Sequence, residues 1–101
     1  MDRPERVRHF TKVSDLSVEE IRKILKRAFK LKERPHADRS LTGRTVALIF
    51  SKPSTRTRVS FSVGVYQLGG MALYLSEQEL QMRSSESLED TARVLSRFVD
   101  A

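Results

Sequence analysis

Residues 45–61, TVALIFSKPSTRTRVSF, decide the fold, because a short apolar run is followed at once by hydroxyl and arginine side chains. The run TVALIF contains β-branched residues and lies between Gly43 and Pro53. This pattern is typical of a strand that is buried on both faces. The residues after Pro53 have helical character, so the sequence predicts a helix that begins where the strand ends.

A helix is predicted on the amino-terminal side of the strand, over residues 17–35. Apolar side chains recur there at helical spacing, and Ser17 with Glu20 forms a capping box. Pro35 ends the helix, because the residue before a proline is displaced from the α region.

A second helix is predicted over residues 55–70, and Gly69-Gly70 is its stop signal. Close packing against a sheet is one reason for Gly64 inside this helix, where glycine costs about 1 kcal/mol relative to alanine. The expected apolar side consists of Val59, Val63, Tyr66 and Leu68.

The remaining residues predict one more strand and one more helix. MALYL, residues 71–75, has strand character, and SEQELQMRSS, residues 76–85, is expected to be a polar loop. A third helix is predicted to follow, with Ser87 as its N-cap and an apolar side that includes Leu95 and Phe98. The order α-β-α-β-α indicates an α/β fold, with a parallel sheet flanked by helices.

Composition sets limits on the class of protein. The chain has 101 residues, 39% of them hydrophobic and 32% charged, which fits one small globular domain over residues 1–101. It contains no cysteine, so disulfides and cysteine-based zinc sites are excluded and a cytoplasmic location is expected. No apolar stretch is long enough to span a membrane. The net charge of +6 leaves a nucleic-acid surface open as an alternative.

The run Ser54-Thr55-Arg56-Thr57 predicts an anion site. Open α/β sheets bind ligands at the carboxyl ends of their strands, and the first turn of a helix has free N–H donors there. The hydroxyls add donors, Arg56 adds a planar fork for phosphate, and residues 40–70 contain no acid. Lys52 and Arg58 add positive potential. Two alternatives stay open: a plain helix cap with solvated arginines, or a contact to a nucleic-acid backbone.

The same stretch resembles the carbamoyl-phosphate loop of the aspartate/ornithine transcarbamylases. Further similarity lies in HFTKVSDLS, LTGRTVALIF, LGG, LQMRSSES and DTARVLSRFVDA, so that the resemblance covers essentially the whole chain. DTARVLSR and the glutamine of LQMR are similar to the ornithine branch of the family, and a transcarbamylase for aspartate or another amine stays open as the alternative.

The resemblance implies transfer of a carbamoyl group from carbamoyl phosphate to the δ-amine of ornithine, without metal or organic cofactor. It implies that Ser54, Thr55, Arg56 and Thr57 hold the phosphate, with Arg56 and Thr57 in catalytic roles. It also implies that Gln81 reaches into the site of a neighbouring subunit of a trimer, with no nucleic acid or membrane as partner. Arg58 is expected to be structural rather than a ligand.

The sequence also departs from the family pattern. Ser51 and Ser62 stand where family members usually have glutamate, which leaves Arg56 and Arg58 less compensated. The amino-acid-binding domain and the later carbamoyl-contacting motifs do not appear in these residues. We therefore expect the 101-residue chain alone to form no citrulline.

Overall fold

The computed structural model describes residues 8–81 and 88–101, and the chain divides into two compact units, Met1–Pro35 and His36–Ala101. The first unit contains a 3₁₀ turn and helix α1. Over its described residues, the second contains two strands and three helices. The bounds are Val13–Asp15 for the turn, Val18–Glu33 for α1, Thr45–Phe50 for β1, Thr55–Gln67 for α2, Met71–Ser76 for β2, Glu77–Gln81 for α3 and Leu88–Phe98 for α4. Within these ranges no helix has the length and apolar character that a membrane crossing requires.

The predicted capping box at the start of α1 is confirmed. The Glu20 amide donates to Ser17 Oγ at 3.1 Å, and the Ser17 amide donates to Glu20 Oε1 at 2.9 Å. Arg8 holds the same carboxylate through a two-pronged ion pair, in which Nη2 lies 3.0 Å from Oε1. The helix ends at Glu33, two residues before Pro35, as expected for the residue that precedes a proline.

The two strands pair in parallel and in register from Thr45 opposite Met71 to Phe50 opposite Ser76. Helix α2 connects them, which is the crossover that parallel pairing requires. The predicted α/β class, the order of the main elements and the parallel sheet are confirmed.

The expectation that β1 is buried on both faces is wrong for this chain. Leu48 is only 6% exposed, but its neighbour Ile49, which points to the opposite face, is 42% exposed. Tyr74 of β2 lies on the same face as Leu48. Arg58, from the first turn of α2, lies over the Tyr74 ring and so covers this face. Within the described residues of this unit, the other face has less complete cover.

Helix α2 ends in a Schellman motif, as the glycine pair predicted. Gly69 has a φ of +95° and donates to the Tyr66 carbonyl, while Gly70 donates to the Val65 carbonyl, both at 2.9 Å. A Cβ on Gly70 would lie 3.1 Å from two backbone carbonyl oxygens and from Val65 Cγ1. A Cβ on Gly69 would lie 2.7 Å from Thr42 Oγ1, so Gly69 and Gly70 are the close-packed glycines, whereas nothing lies within 4 Å of a Cβ placed on Gly64.

The predicted apolar side of α2 is wrong. Val59, Val63 and Tyr66 are exposed, whereas Val65 is the buried residue and Arg58 and Ser62 are half-buried. Apolar residues occur all around this helix, so spacing alone did not select the side that packs on the sheet.

Two expectations for the carboxyl-terminal third also need correction. Residues 77–81, expected in a loop, form the short helix α3, in which the Glu79 amide donates to Ser76 Oγ at 3.1 Å. Phe98 is 79% exposed, and the inward side of α4 leads through Thr91 and Leu95 to the buried Val99. The predicted N-cap Ser87 lies outside the described residues.

The segment after α4 pairs with the second edge of β1. Ala47 donates to the Ala101 carbonyl at 2.7 Å, and Asp100 donates to the Thr45 carbonyl at 2.9 Å. The Asp100 carboxylate accepts from the Thr45 amide at 2.8 Å and lies 3.3 Å from Arg44 Nη1. Strand β1 therefore has hydrogen-bond partners along both edges.

We predict that Gly64→Ala stabilises the chain by about 0.5–1 kcal/mol, because alanine fits the helix and meets no neighbouring atom. Gly70→Ala is the matched control and should destabilise it, because its Cβ presses on backbone oxygens. Urea unfolding of both variants measures the two effects. A loss of stability in Gly64→Ala would contradict the open surroundings of that residue.

We further predict that the Glu20 carboxyl group stays ionised at a lower pH than an ordinary glutamate does. The hydrogen bonds from Arg8, followed by that from the Ser17 amide, lower the pKa of Glu20 from 4.5 to about 2. A carboxyl group with a lowered pKa stabilises the folded state above its unfolded pKa of 4.5, and that contribution is lost as the pH falls towards about 2. An NMR titration of the side-chain carboxyl carbon measures this pKa, and Arg8→Ala should move it back towards 4.5. A titration midpoint near 4.5 in the unmodified chain would contradict the prediction.

Candidate anion site

The predicted anion site lies at the junction of β1 and α2. The first helical hydrogen bond of α2 runs from the Arg58 amide to the Ser54 carbonyl at 2.9 Å. The amides of Thr55, Arg56 and Thr57 precede that bond, and amides in this position have no partner within their own helix. They therefore form a group of N–H donors at the positive end of the helix dipole.

Ser54 occupies the N-cap position without acting as a cap. Its backbone has φ −146° and ψ 73°, and within the described part of the chain its side chain makes no hydrogen bond to the helix. The interpretation of Ser54 as a plain helix cap is therefore wrong. The hydroxyl remains available to a ligand, because a serine that caps its helix would use it on the N2 or N3 amide.

All four residues from Ser54 to Thr57 are exposed at the carboxyl-terminal end of the strand. Arg56 is therefore open to solvent at the first turn of α2, and we expect its guanidinium to reach an anion bound to the helix amides. Two parallel N–H donors of an arginine fit two oxygens of a phosphate or carboxylate. Amides, hydroxyls and one guanidinium at one helix end form a donor set for a small dianion.

Arg58 has a different environment from Arg56. It is half-buried, and its guanidinium carbon lies 4.7 Å from the centre of the Tyr74 ring on β2. Tyr74 in turn packs edge-on against Phe50, with ring centres 6.0 Å apart and planes at 83°. No pattern in the sequence indicates this aromatic pair, although the parallel register places both rings on one face of the sheet.

One other candidate, Gln81, and two arginines that the sequence does not place in the site lie outside the run Ser54–Thr57. Gln81 is the last residue of α3, and its side chain is not among those described, so its role stays a prediction. Arg93 and Arg97 line an open concavity on α4 together with Asp90, Val94 and Phe98.

Comparison with known proteins identifies the family. Residues 8–101 match the family described as "Aspartate/ornithine carbamoyltransferase, carbamoyl-P binding domain". An ornithine carbamoyltransferase of Thermococcus kodakarensis is 55% identical over 93 residues, which are 87% of this chain and 29% of that protein. One of Aquifex aeolicus is 50% identical over 94 residues, covering 92% of this chain and 31% of its own length.

Solved structures give the same result. An anabolic ornithine carbamoyltransferase of Campylobacter jejuni superimposes with a TM-score of 0.83 at 42% identity, over 93% of this chain and 30% of that one. An N-acetyl-L-ornithine transcarbamylase also reaches 0.83, at 34% identity, over 93% of this chain and 31% of its own. This chain belongs to the aspartate/ornithine carbamoyltransferase family, within its carbamoyl-phosphate-binding domain. It spans about 30% of the length of the relatives that it matches.

We predict that a phosphonate analogue of carbamoyl phosphate raises the melting temperature of the chain. A ligand that binds only the folded state at a hundred times its Kd contributes about 2.7 kcal/mol. In a chain of this size that corresponds to a rise of about 10 °C or more. Differential scanning calorimetry with and without the analogue measures the rise.

Arg56→Ala should abolish most of this rise, because it removes the guanidinium fork from the loop. Arg97→Ala is the matched control, since it removes the same side chain from the exposed concavity on α4 and should leave the rise intact. Equal rises in the two variants would contradict a site at the β1–α2 junction.

Proposed function

We propose that this chain is the carbamoyl-phosphate-binding part of an ornithine carbamoyltransferase. The observation that carries the proposal is the exposed run Ser54–Thr57 at the positive end of α2, in a chain of the carbamoyltransferase family. The complete protein would transfer a carbamoyl group from carbamoyl phosphate to the δ-amine of ornithine, which gives citrulline and phosphate.

The donor set at this loop suits the leaving group of that reaction. The amine nitrogen bonds to the carbamoyl carbon, the bond from that carbon to the phosphate oxygen breaks, and the phosphate leaves with the bonding electrons. The nitrogen then loses a proton. Negative charge grows on the phosphate along this path, so amides and hydroxyls fixed around it stabilise the transition state more than the ground state.

The four loop residues divide these tasks. Arg56 grips two phosphate oxygens, while Ser54, Thr55 and the first-turn amides bind the remaining ones. Thr57, one residue further along the helix, reaches the carbamoyl oxygen. These donors hold the carbamoyl carbon in one position for attack, which lowers the entropic part of the barrier.

Ornithine is favoured as the acceptor over other amines. In the structural comparison, proteins named ornithine carbamoyltransferase are 37–52% identical to this chain, compared with 34% for the N-acetyl-L-ornithine transcarbamylase. An aspartate transcarbamylase and a non-catalytic or nucleic-acid-binding module are correspondingly disfavoured. The relative of Pyrococcus furiosus, 55% identical, is named as the anabolic enzyme, which supports a role in arginine biosynthesis.

The assembly and the location belong to the same proposal. We propose that the complete protein is a trimer or a multiple of trimers, in which Gln81 of one subunit completes the phosphate site of its neighbour. We assign it to the cytoplasm. Within the proposal, residues 1–101 form part of one carbamoyl-phosphate domain, and ornithine binds to a second domain.

A chimaera tests the proposed activity. Residues 8–101 of this chain replace the matching segment of the Thermococcus kodakarensis enzyme, to which the chain is 55% identical. We expect the chimaera to form citrulline from carbamoyl phosphate and ornithine. Arg56→Ala in the chimaera should lower kcat by about a hundredfold or more, the usual effect of removing one donor to a developing anion.

The control is the chimaera with Arg97→Ala, which should retain its activity. A chimaera that folds, assembles and binds an ornithine analogue but forms no citrulline would refute the proposed function.

A further inference from the structure

The ring of Tyr74 contacts one residue on each side of the anion loop, which comprises residues 51–57 from the end of β1 into the first turn of α2. Tyr74 lies on β2, opposite Leu48 in the parallel register. Its edge contact is with Phe50, the last residue of β1, at 6.0 Å between ring centres. Its face contact is with Arg58, whose guanidinium carbon lies 4.7 Å from the ring centre.

These two neighbours flank the loop. Phe50 immediately precedes residues 51–54, and Arg58 donates the first helical hydrogen bond after them, to the Ser54 carbonyl at 2.9 Å. Residues 51–57 are all exposed, so burial of their own side chains does little to fix the loop. The contacts to one ring therefore restrain the distance between the end of the strand and the start of the helix.

We infer that Tyr74 is a positioning residue for the anion site, acting through Phe50 and Arg58. The ring holds the first turn of α2 at a fixed distance from β1, so that the amides of Thr55, Arg56 and Thr57 are arranged before the anion arrives. Donors arranged in advance bind more tightly, because less ordering accompanies binding. This inference rests on the proposed function for its ligand, although the restraint itself exists without ligand.

The same contact explains the different roles of the two arginines. An arginine over an aromatic face is attracted by the partial negative charge on the π face of the neutral ring, and this contact restricts where its side chain lies. Arg58 is thereby directed towards Tyr74, whereas Arg56 is exposed at the loop. In this arrangement Arg58 shapes the site and contributes potential, and Arg56 binds the anion.

The first test is amide hydrogen exchange in the chain without ligand. Tyr74→Leu removes the aromatic face and keeps an apolar side chain, while Tyr74→Phe keeps the face and loses only the hydroxyl. We compare exchange at the Arg58 amide, which closes the first turn, with exchange at the Gly70 amide, which closes the far end of the same helix. Tyr74→Leu should accelerate exchange at Arg58 relative to Gly70 by about two- to fivefold, the range for one exposed cation–π contact. Tyr74→Phe should keep the ratio of the two exchange rates, Arg58 to Gly70, at its value in the unmodified chain.

The second test is affinity for inorganic phosphate, measured by NMR titration at constant ionic strength. Tyr74→Leu and Arg58→Leu should each weaken binding by about two- to fivefold, and the double variant should lose less affinity than the product of the two single losses, because both substitutions remove the same contact. Fully additive losses would show that the ring does not act through Arg58 and would overturn the inference. So would equal acceleration of both amides in Tyr74→Leu, because that pattern reports a general loss of stability.

The two tests separate this inference from the proposed function. If the unmodified chain bound no phosphate but the exchange ratio changed as expected, the proposed function would fail, whereas the restraint that Tyr74 places on the first turn of α2 would stand. If phosphate bound normally and Tyr74→Leu changed neither ratio nor affinity, the positioning role would fail and the proposed function would stand.

Discussion

The parallel pairing of β1 with β2 is the constraint on which the second unit depends. Two parallel strands cannot be joined by a tight turn, so the chain must cross over, and here it does so through α2. The crossover begins at the carboxyl end of β1, which places the positive end of the helix dipole at the edge of the sheet. The place of the candidate anion site is therefore a result of strand direction, and we expect the Ser-Thr-Arg-Thr side chains to add to the donors that the backbone already provides.

The backbone at the carboxyl-terminal end of the crossover helix α2 is as restricted as the backbone at its amino-terminal end. The Schellman motif turns the chain through Gly69 and brings Gly70 against the carbonyl oxygens of Leu41 and Arg44, where a side chain would not fit without displacement. The Met71 amide then bonds to the Arg44 carbonyl at 2.9 Å and starts the sheet. Register follows from this junction, and it brings Tyr74 onto the same face as Phe50 and under Arg58.

Much of this arrangement could be predicted from the sequence, because local signals and global fold agree. The Ser17–Glu20 box, Pro35 and Gly69-Gly70 each set a helix boundary through backbone chemistry, and the structure has those boundaries. The anion loop was predicted from the order of strand and helix together with its hydroxyls and arginines. Its residues lie at the helix start as expected.

The failures concern side chains whose environment depends on distant residues. Apolar residues on every side of α2 made its packing side ambiguous, and the structure buries Val65 rather than Val59 or Val63. Ser54 has the sequence character of a cap, but its backbone geometry leaves the hydroxyl unused by the helix. The pairing of Tyr74 with Phe50 depends on the register of two strands, which no local pattern encodes.

The hydrogen bonds between residues 100–101 and β1 have a consequence for synthesis of the chain on the ribosome. Strand β1 can pair with β2 once residue 76 has emerged, but its other edge waits for Asp100, which is 55 residues beyond Thr45. At ordinary elongation rates the interval between residues 76 and 100 is roughly one to five seconds. During that time a strand with unpaired amides and carbonyls faces its surroundings, and such edges readily pair with other chains. When the Asp100 carboxylate accepts the hydrogen bond from the Thr45 amide, this edge of β1 is no longer available for pairing with other chains.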